Sequence, residues 1–230
     1  EMPALPTPKW VSMVDLGNRV PELRGMRTPD GIQVDIVARE PVIVDPVGMA
    51  FDDQGTAYVL EWREATEQVD VTYTVNYRDG TSAQVNRKQK NALDHFKRLI
   101  DADNDGHYED AELLMDDLEY PSSALIHDSW NYFPSVGHVI RRRSDGAGGY
   151  ITEEILRGMC GYHHHQVSGL TLSADDWIYT TTGDDDNRAE GSDGSRATVL
   201  RTGAIFRSRP DGSKLYEFAR GFRNPYRNVV

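Results

Sequence analysis

Residues 48 to 59 recur further along the chain. Gly48-Met49-Ala50-Phe51 through Tyr58-Val59 aligns without gaps on Gly169-Leu170-Thr171-Leu172 through Tyr179-Thr180, with an acidic turn inside each copy and the tyrosine equally far from the glycine. A weaker copy, Ser123-Ala124-Leu125-Ile126 with Asn131-Tyr132-Phe133, lies between them. The end of the unit also repeats, as Ile140-Arg-Arg-Arg-Ser-Asp-Gly146 and Ile205-Phe-Arg-Ser-Arg-Pro-Asp-Gly212. Each unit therefore reads strand, turn, strand, strand, Asp-Gly turn. Repeats of this kind imply stacked or radial units, and units of about 40 or more residues built from short strands read as β-propeller blades.

The expected fold is all-β, a propeller of which this chain holds roughly three blades and the start of a fourth at Gly221. A propeller needs at least about four blades to close, so the remaining blades are expected from a longer chain or a partner chain. Four prolines before position 22 and no periodicity mark residues 1–29 as an extended arm. The propeller region is expected over 30–230. Alternation at Ile32, Val34 and Ile36, continued by Val42 to Val44, predicts its first strand. The polar stretch Glu64 to Arg98 reads as an insertion in the first blade. It carries a strand-like run from Val69 to Val75, a turn at Asp79-Gly80 and a basic segment from Arg87 to Lys90, with a short helix over Gln89 to Phe96 as an option.

Composition narrows the function classes. The chain has 37 acidic and 25 basic residues and a formal charge of −12, which repels phosphate backbones and argues against nucleic-acid binding. One cysteine, Cys160, excludes an intrachain disulfide and a Cys-rich zinc site. No apolar run approaches the roughly 20 residues of a transmembrane helix, and no signal peptide is visible.

Three stretches carry chemistry. His163, His164 and His165 directly precede a predicted strand pair, Leu170 to Leu172 and Trp177 to Tyr179. Side chains alternate along an extended segment, so at most two of the rings face one site. His163 and His165 can converge on a zinc ion, one ring can act as a general base, or all can be structural. Asp184 ends the paired strand and can orient an imidazole, while Asp185, Asp186 and Asp193 read as a solvated loop. Next, Asp101-Ala-Asp103-Asn-Asp105-Gly106, with Glu112 closing, reproduces the oxygen ligands and sharp turn of an EF-hand calcium loop, here without flanking helices; the alternative is a solvated acidic turn. Finally, Arg223-Asn224-Pro225 sets a planar guanidinium beside an amide, suited to carboxylate recognition or to packing on Tyr226.

His165-Gln166 with Leu170 and Asp175, then Ile178-Tyr179, Gly183-Asp184, Gly203-Ala-Ile-Phe-Arg207, Pro210-Asp-Gly212 and Gly221-Phe-Arg-Asn-Pro225, resembles the soluble quinoprotein glucose/sorbosone dehydrogenase family. Pro41 to Glu61 is also similar to a large bacterial group of membrane-bound-dehydrogenase-type proteins, common in planctomycetes and often fused to cytochrome c. The resemblance implies a six-bladed propeller that binds pyrroloquinoline quinone (PQQ), oxidises a sugar or other alcohol, works in the periplasm or outside the cell, and passes electrons to an acceptor such as cytochrome c. It implies His165 as the base that takes the hydroxyl proton, Asp184 as its support, and Gln166, Arg223 and Asn224 as quinone contacts. His164 stands where that family usually has an aspartate. Two rival readings are a non-catalytic propeller that binds carbohydrate or protein, and a calcium-dependent lactonase-type hydrolase.

Overall fold

The computed structural model describes residues 13–18, 20–29, 31–63, 68–76, 82–90, 94–161 and 165–229. Among them there is no α-helix. Strands β1 (Met13–Asp15) and β2 (Arg27–Pro29) pair with each other in the arm. Residues 1–12 of the predicted extended arm lie outside the described residues.

Three antiparallel sheets follow, each running from an inner first strand to an outer fourth. Blade 1 is β3 (Pro46–Phe51), β4 (Ala57–Glu61), β7 (Asp94–Ile100) and β8 (Asp110–Leu118), with a separate hairpin, β5 (Gln68–Asn76) and β6 (Ser82–Lys90), leaving between its second and third strands. Blade 2 is β9 (Leu125–His127), β10 (Trp130–Ser135), β11 (His138–Ser144) and β12 (Tyr150–Arg157). Blade 3 is β13 (Leu170–Leu172), β14 (Ile178–Thr182), β17 (Gly203–Ser208) and β18 (Tyr216–Phe222). The inner strand β9 lies beside both β3 and β13. These are consecutive blades of a β-propeller.

The repeat maps onto pairing. Met49, Ala50 and Phe51 face Val59, Tyr58 and Ala57. At the aligned positions Leu170, Thr171 and Leu172 face Thr180, Tyr179 and Ile178. The two strong copies are thus blades 1 and 3, separated by blade 2, the weak copy. Its tighter turn, with Asp128 and Ser129 both at positive φ, removes one residue between strands.

Blade 3 also sends out a hairpin between its second and third strands, β15 (Asn187–Gly191) and β16 (Arg196–Val199). It adds to the outer edge of blade 2 through Leu156 opposite Gly191 and Arg157 opposite Glu190, and extends that sheet to six strands. An edge that would present unpaired backbone groups is covered in this way. Two apolar clusters fill the spaces between blades. Leu60, Phe96 and Met115 meet Phe133 of blade 2, and Trp130, Tyr132 and Ile155 of blade 2 meet Ile178, Phe206 and Leu215 of blade 3.

Several local expectations are corrected. Ile32, Val34, Ile36 and Val42 to Val44 form no strand, because this segment crosses the face of blade 1 instead of joining an edge. Val42 and Ile43 pack on Ala57, Val59 and Leu99. The described residues of Gln89 to Phe96 are extended, in β6 and β7, and not helical. The insertion ends before Asp94, since β7 is a blade strand paired with β4. The turn at Asp79-Gly80 lies outside the described residues.

Candidate functional site

In an antiparallel blade the start of the first strand and the end of the second lie at the same end. His165 precedes β13 and Asp184 follows β14, so the topology alone brings them to one end of blade 3. Backbone contact completes the approach. The Gly183 N–H donates to the His165 carbonyl at 2.8 Å, and a Cβ on Gly183 would stand 2.5 Å from the His165 Cα and 2.7 Å from the side-chain amide of Asn224. Only a residue without a side chain fits between these two neighbours.

The carboxylate of Asp184 is the centre of the cluster. Its Oδ1 contacts His165 Nδ1, and its Oδ2 lies 3.9 Å from Arg223 Nε. With its amide nitrogen turned inward, Asn224 donates to Asp184 Oδ1 at 3.2 Å and to the Arg223 carbonyl at 3.0 Å. His165 and Asp184 are half-buried, while the Arg223 side chain is largely exposed. An aspartate on Nδ1 holds the proton there and leaves Nε2 as the basic ring nitrogen. The residues after β18 are tied back to the inner strands. Ser168 Oγ donates to the Pro225 carbonyl at 3.2 Å, Thr171 Oγ1 to the Asn228 carbonyl at 2.8 Å, and Tyr226 Oη to the Ser122 carbonyl at 3.0 Å.

Gln166 does not join the cluster. It is buried and its amide donates to the Tyr120 carbonyl at 3.2 Å. Its side chain is thus turned toward the segment that follows β8 and not toward Asp184. His163 and His164, and with them the zinc reading, lie outside the described residues.

Two groups escaped sequence reasoning. Asn187, fully buried at the start of β15, accepts from the Cys160 N–H at 2.8 Å and donates to the carbonyls of Gly183 at 3.1 Å and Asp185 at 2.9 Å. It fastens the connection that carries His165 to the loop that carries Asp184. The signal available was a polar residue heading the run Asn187 to Gly191. The second group is at the same end of blade 1, where Glu61 is wholly buried. It accepts from the Val44 N–H at 2.7 Å and from Lys97 Nζ at 2.8 Å, with Arg63 and His95 at 3.4 and 3.5 Å. In the repeat, Arg63 occupies the position of Asp184. Burial and the neighbouring Arg63 cation hold the His95 pKa below its ordinary value despite Glu61.

The acidic loop joins β7 to β8 at the opposite end of its blade, so it is a separate site. Ligand atoms of Asp101, Asp103, Asp105 and Glu109 lie within 4.8 Å of one another. Gly106, at φ +89°, makes the sharp turn, and its N–H donates to Asp101 Oδ2 at 2.9 Å. Glu112 takes no part in this group. It is on β8 and paired with Arg98 of β7. In an EF-hand a helix brings the twelfth position back to the ion; here a strand starts at Asp110 and carries Glu112 away, leaving Glu109 as the last loop residue.

A family described as a domain of unknown function, DUF7133, matches residues 20–227. The chain belongs to this family. A search of curated proteins finds no match. Among solved structures the chain is similar to a streptogramin B lyase, with 10% identity and a TM-score of 0.38 over 79% of this chain and 57% of the lyase. It is also similar to the PQQ-bound aldose sugar dehydrogenase of Streptomyces coelicolor, with 11% identity and a TM-score of 0.34 over 83% of this chain and 81% of that one. This family member thus spans 57% of the length of the lyase. Both likenesses are loose, and the strand pairing within the chain itself defines the fold. No helix among the described residues is long and apolar enough to cross a membrane.

Proposed function

We propose that this chain forms part of an exported quinoprotein-type dehydrogenase that oxidises a sugar or other alcohol. One observation carries the reading: a single carboxylate, Asp184, contacts the imidazole of His165 and lies beside Arg223 and Asn224 at one end of blade 3. His165 Nε2 would accept the substrate hydroxyl proton, and Asp184 would stabilise the imidazolium that results. The exposed fork of Arg223 and the amide of Asn224 suit a planar ligand bearing carboxylates and carbonyl oxygens, which is the donor set a PQQ molecule requires. When bound, the quinone supplies hydride acceptance. Gln166 is committed to Tyr120 and has no part in this proposal. Further blades would enclose the site, and a cytochrome c would serve as electron acceptor. Calcium in the Asp101 loop, with Glu109 as a ligand, belongs to the same reading and has a structural role.

The full-length polypeptide, reconstituted with PQQ and supplied with a panel of sugars, should reduce a redox dye. His165→Gln should lower turnover by roughly 100-fold to 10,000-fold, the usual contribution of a positioned base, with folding intact. Arg223→Lys should instead weaken PQQ retention, because an ammonium lacks the planar fork. Failure to reduce dye while PQQ is demonstrably bound would defeat the oxidoreductase reading.

A further inference from the structure

Three successive backbone carbonyls in the connection from blade 1 to blade 2 are each taken by a side chain from elsewhere in the chain. The Tyr120 carbonyl accepts from Gln166, the neighbour of His165, at 3.2 Å. The Pro121 carbonyl accepts from Trp62 Nε1 at 2.7 Å, and the Ser122 carbonyl from Tyr226 Oη at 3.0 Å. Trp62 directly follows β4, and Tyr226 lies in the segment after β18. Consecutive Cα atoms are about 3.8 Å apart, so the three accepting residues span less than about 8 Å of chain. Both rings are therefore anchored close to the residue next to the proposed base, at the end of the blades where His165 and Asp184 meet.

Each ring is tied by its polar atom and open over its carbon surface. Trp62 is 37% and Tyr226 49% exposed, although the indole N–H and the phenol O–H are both bonded. The other two described tryptophans, Trp130 and Trp177, have an arginine guanidinium 4.3 Å from the ring centre. Trp62 has no such cation among the described residues; it makes a T-shaped contact with Tyr120, ring centres 6.1 Å apart. Tyr226 is fixed at both ends. Its carbonyl lies so close to Gly169, just before the inner strand of blade 3, that a Cβ there would stand 2.6 Å away, and its hydroxyl reaches past that strand to the connection entering blade 2. An aromatic side chain whose polar atom is already satisfied offers a ligand only its apolar face.

We propose that Trp62 and Tyr226 are the stacking surfaces for a pyranose ring at this end, so that the sugar bound beside His165 is cyclic. The proposal rests on the reading of the His165 end as a sugar site and names what selects the substrate there. A pyranose carries C–H bonds on its faces and hydroxyls around its rim. The faces match two rigid aromatic surfaces with no polar atom to spare. The rim matches the groups that accompany them: Arg63, which follows Trp62 and is partly exposed, Arg223, three residues before Tyr226 and largely exposed, and the Asp184 carboxylate. An acyclic polyol offers the same hydroxyls without a flat C–H face. Trp62 and Tyr226 are thus specificity-determining residues, and proton transfer stays with His165.

Saturation-transfer NMR tests it, with methyl β-D-glucopyranoside as the cyclic probe and sorbitol as the acyclic one, and needs neither cofactor nor turnover. Irradiation of the aromatic protons should saturate the ring C–H protons of the glucoside and leave sorbitol unaffected. Trp62→Leu and Tyr226→Leu should each weaken glucoside binding by about 10-fold, the scale of one lost aromatic contact. Trp62→Phe and Tyr226→Phe keep a ring and should stay within about 3-fold of the unaltered protein, whereas a purely structural tie to the Pro121 and Ser122 carbonyls would make each Phe variant as weak as its Leu counterpart. Circular dichroism checks folding; where a Leu variant does not fold, the saturation map of the unaltered protein decides. No saturation of the glucoside, equal saturation of sorbitol, full binding by the folded Leu variants, or Phe variants as weak as Leu would overturn the proposal. Glucoside binding as expected with no dye reduction in the presence of bound PQQ would count against the dehydrogenase reading alone.

Discussion

Gly183 and His165 are in backbone contact: the glycine N–H bonds to the histidine carbonyl at 2.8 Å, and the space where a Cβ would project is filled by the histidine Cα. Asn224 closes the other side. The crowding atoms on the histidine are backbone and cannot swing away as the end of a flexible side chain would. Gly183→Ala should therefore cost about 1–3 kcal/mol as overpacking and should push His165 away from Asp184. Chemical denaturation reads the first effect. A shift in the His165 ring resonances, measured under conditions where the variant is folded, reads the second.

Asn187 is a positioning residue whose removal takes a partner from two buried backbone groups. In Asn187→Leu the Cys160 N–H and the Gly183 carbonyl lose their bond to the Asn187 side chain in the interior, while the carbonyl of the exposed Asp185 can turn to water. An expected loss of about 1–3 kcal/mol for each buried group left unsatisfied makes this variant strongly destabilised. Asn187→Asp keeps the acceptor for Cys160 but neither donor, and should fall between. Urea titration of both variants orders them.

The acidic loop gives a prediction that separates two glutamates. If calcium binds there, addition at about 100 times its dissociation constant stabilises the fold by about 2.7 kcal/mol. Glu109→Gln and Asp103→Asn should reduce that gain, whereas Glu112→Gln should keep it, because Glu112 is engaged with Arg98. Thermal melts with calcium and with a chelator are sufficient. Equal responses from the two glutamate variants would remove Glu109 from the ligand set.

His95 predicts a pH dependence with a definite sign. Burial, reinforced by Arg63, lowers its folded pKa below the ordinary 6.5, so between these two values the unfolded chain binds a proton that the folded chain refuses. The stability held above pH 6.5 is thus lost progressively as pH falls through the window below it. His95→Gln should flatten this part of the curve, and comparison of denaturation midpoints at pH 7.5 and 5.5, set about one unit either side of that value, measures the difference.

The propeller was legible because the same local chemistry recurs in sequence. Gly48 and Gly169, Tyr58 and Tyr179, and the Asp-Gly turns specify strand, turn and strand each time, and the pairing registers of the two copies agree residue for residue. His165, Asp184, Arg223 and Asn224 were legible as chemically apt groups. The alternation of Ile32, Val34 and Ile36 misled, since alternation describes a residue's faces and not whether a strand edge is available to pair. Glu112 misled in the same way: the EF-hand spacing presumes a helix, and a strand moves the twelfth position elsewhere. What tertiary structure alone decided depends on contacts between distant segments. The buried Glu61 network, the bond of Gln166 to Tyr120 and the tie made by Asn187 all arise where separate connections or blades meet. Sequence determined the elements through short-range periodicity and turn chemistry; packing between distant segments decided which polar groups were buried and which were paired.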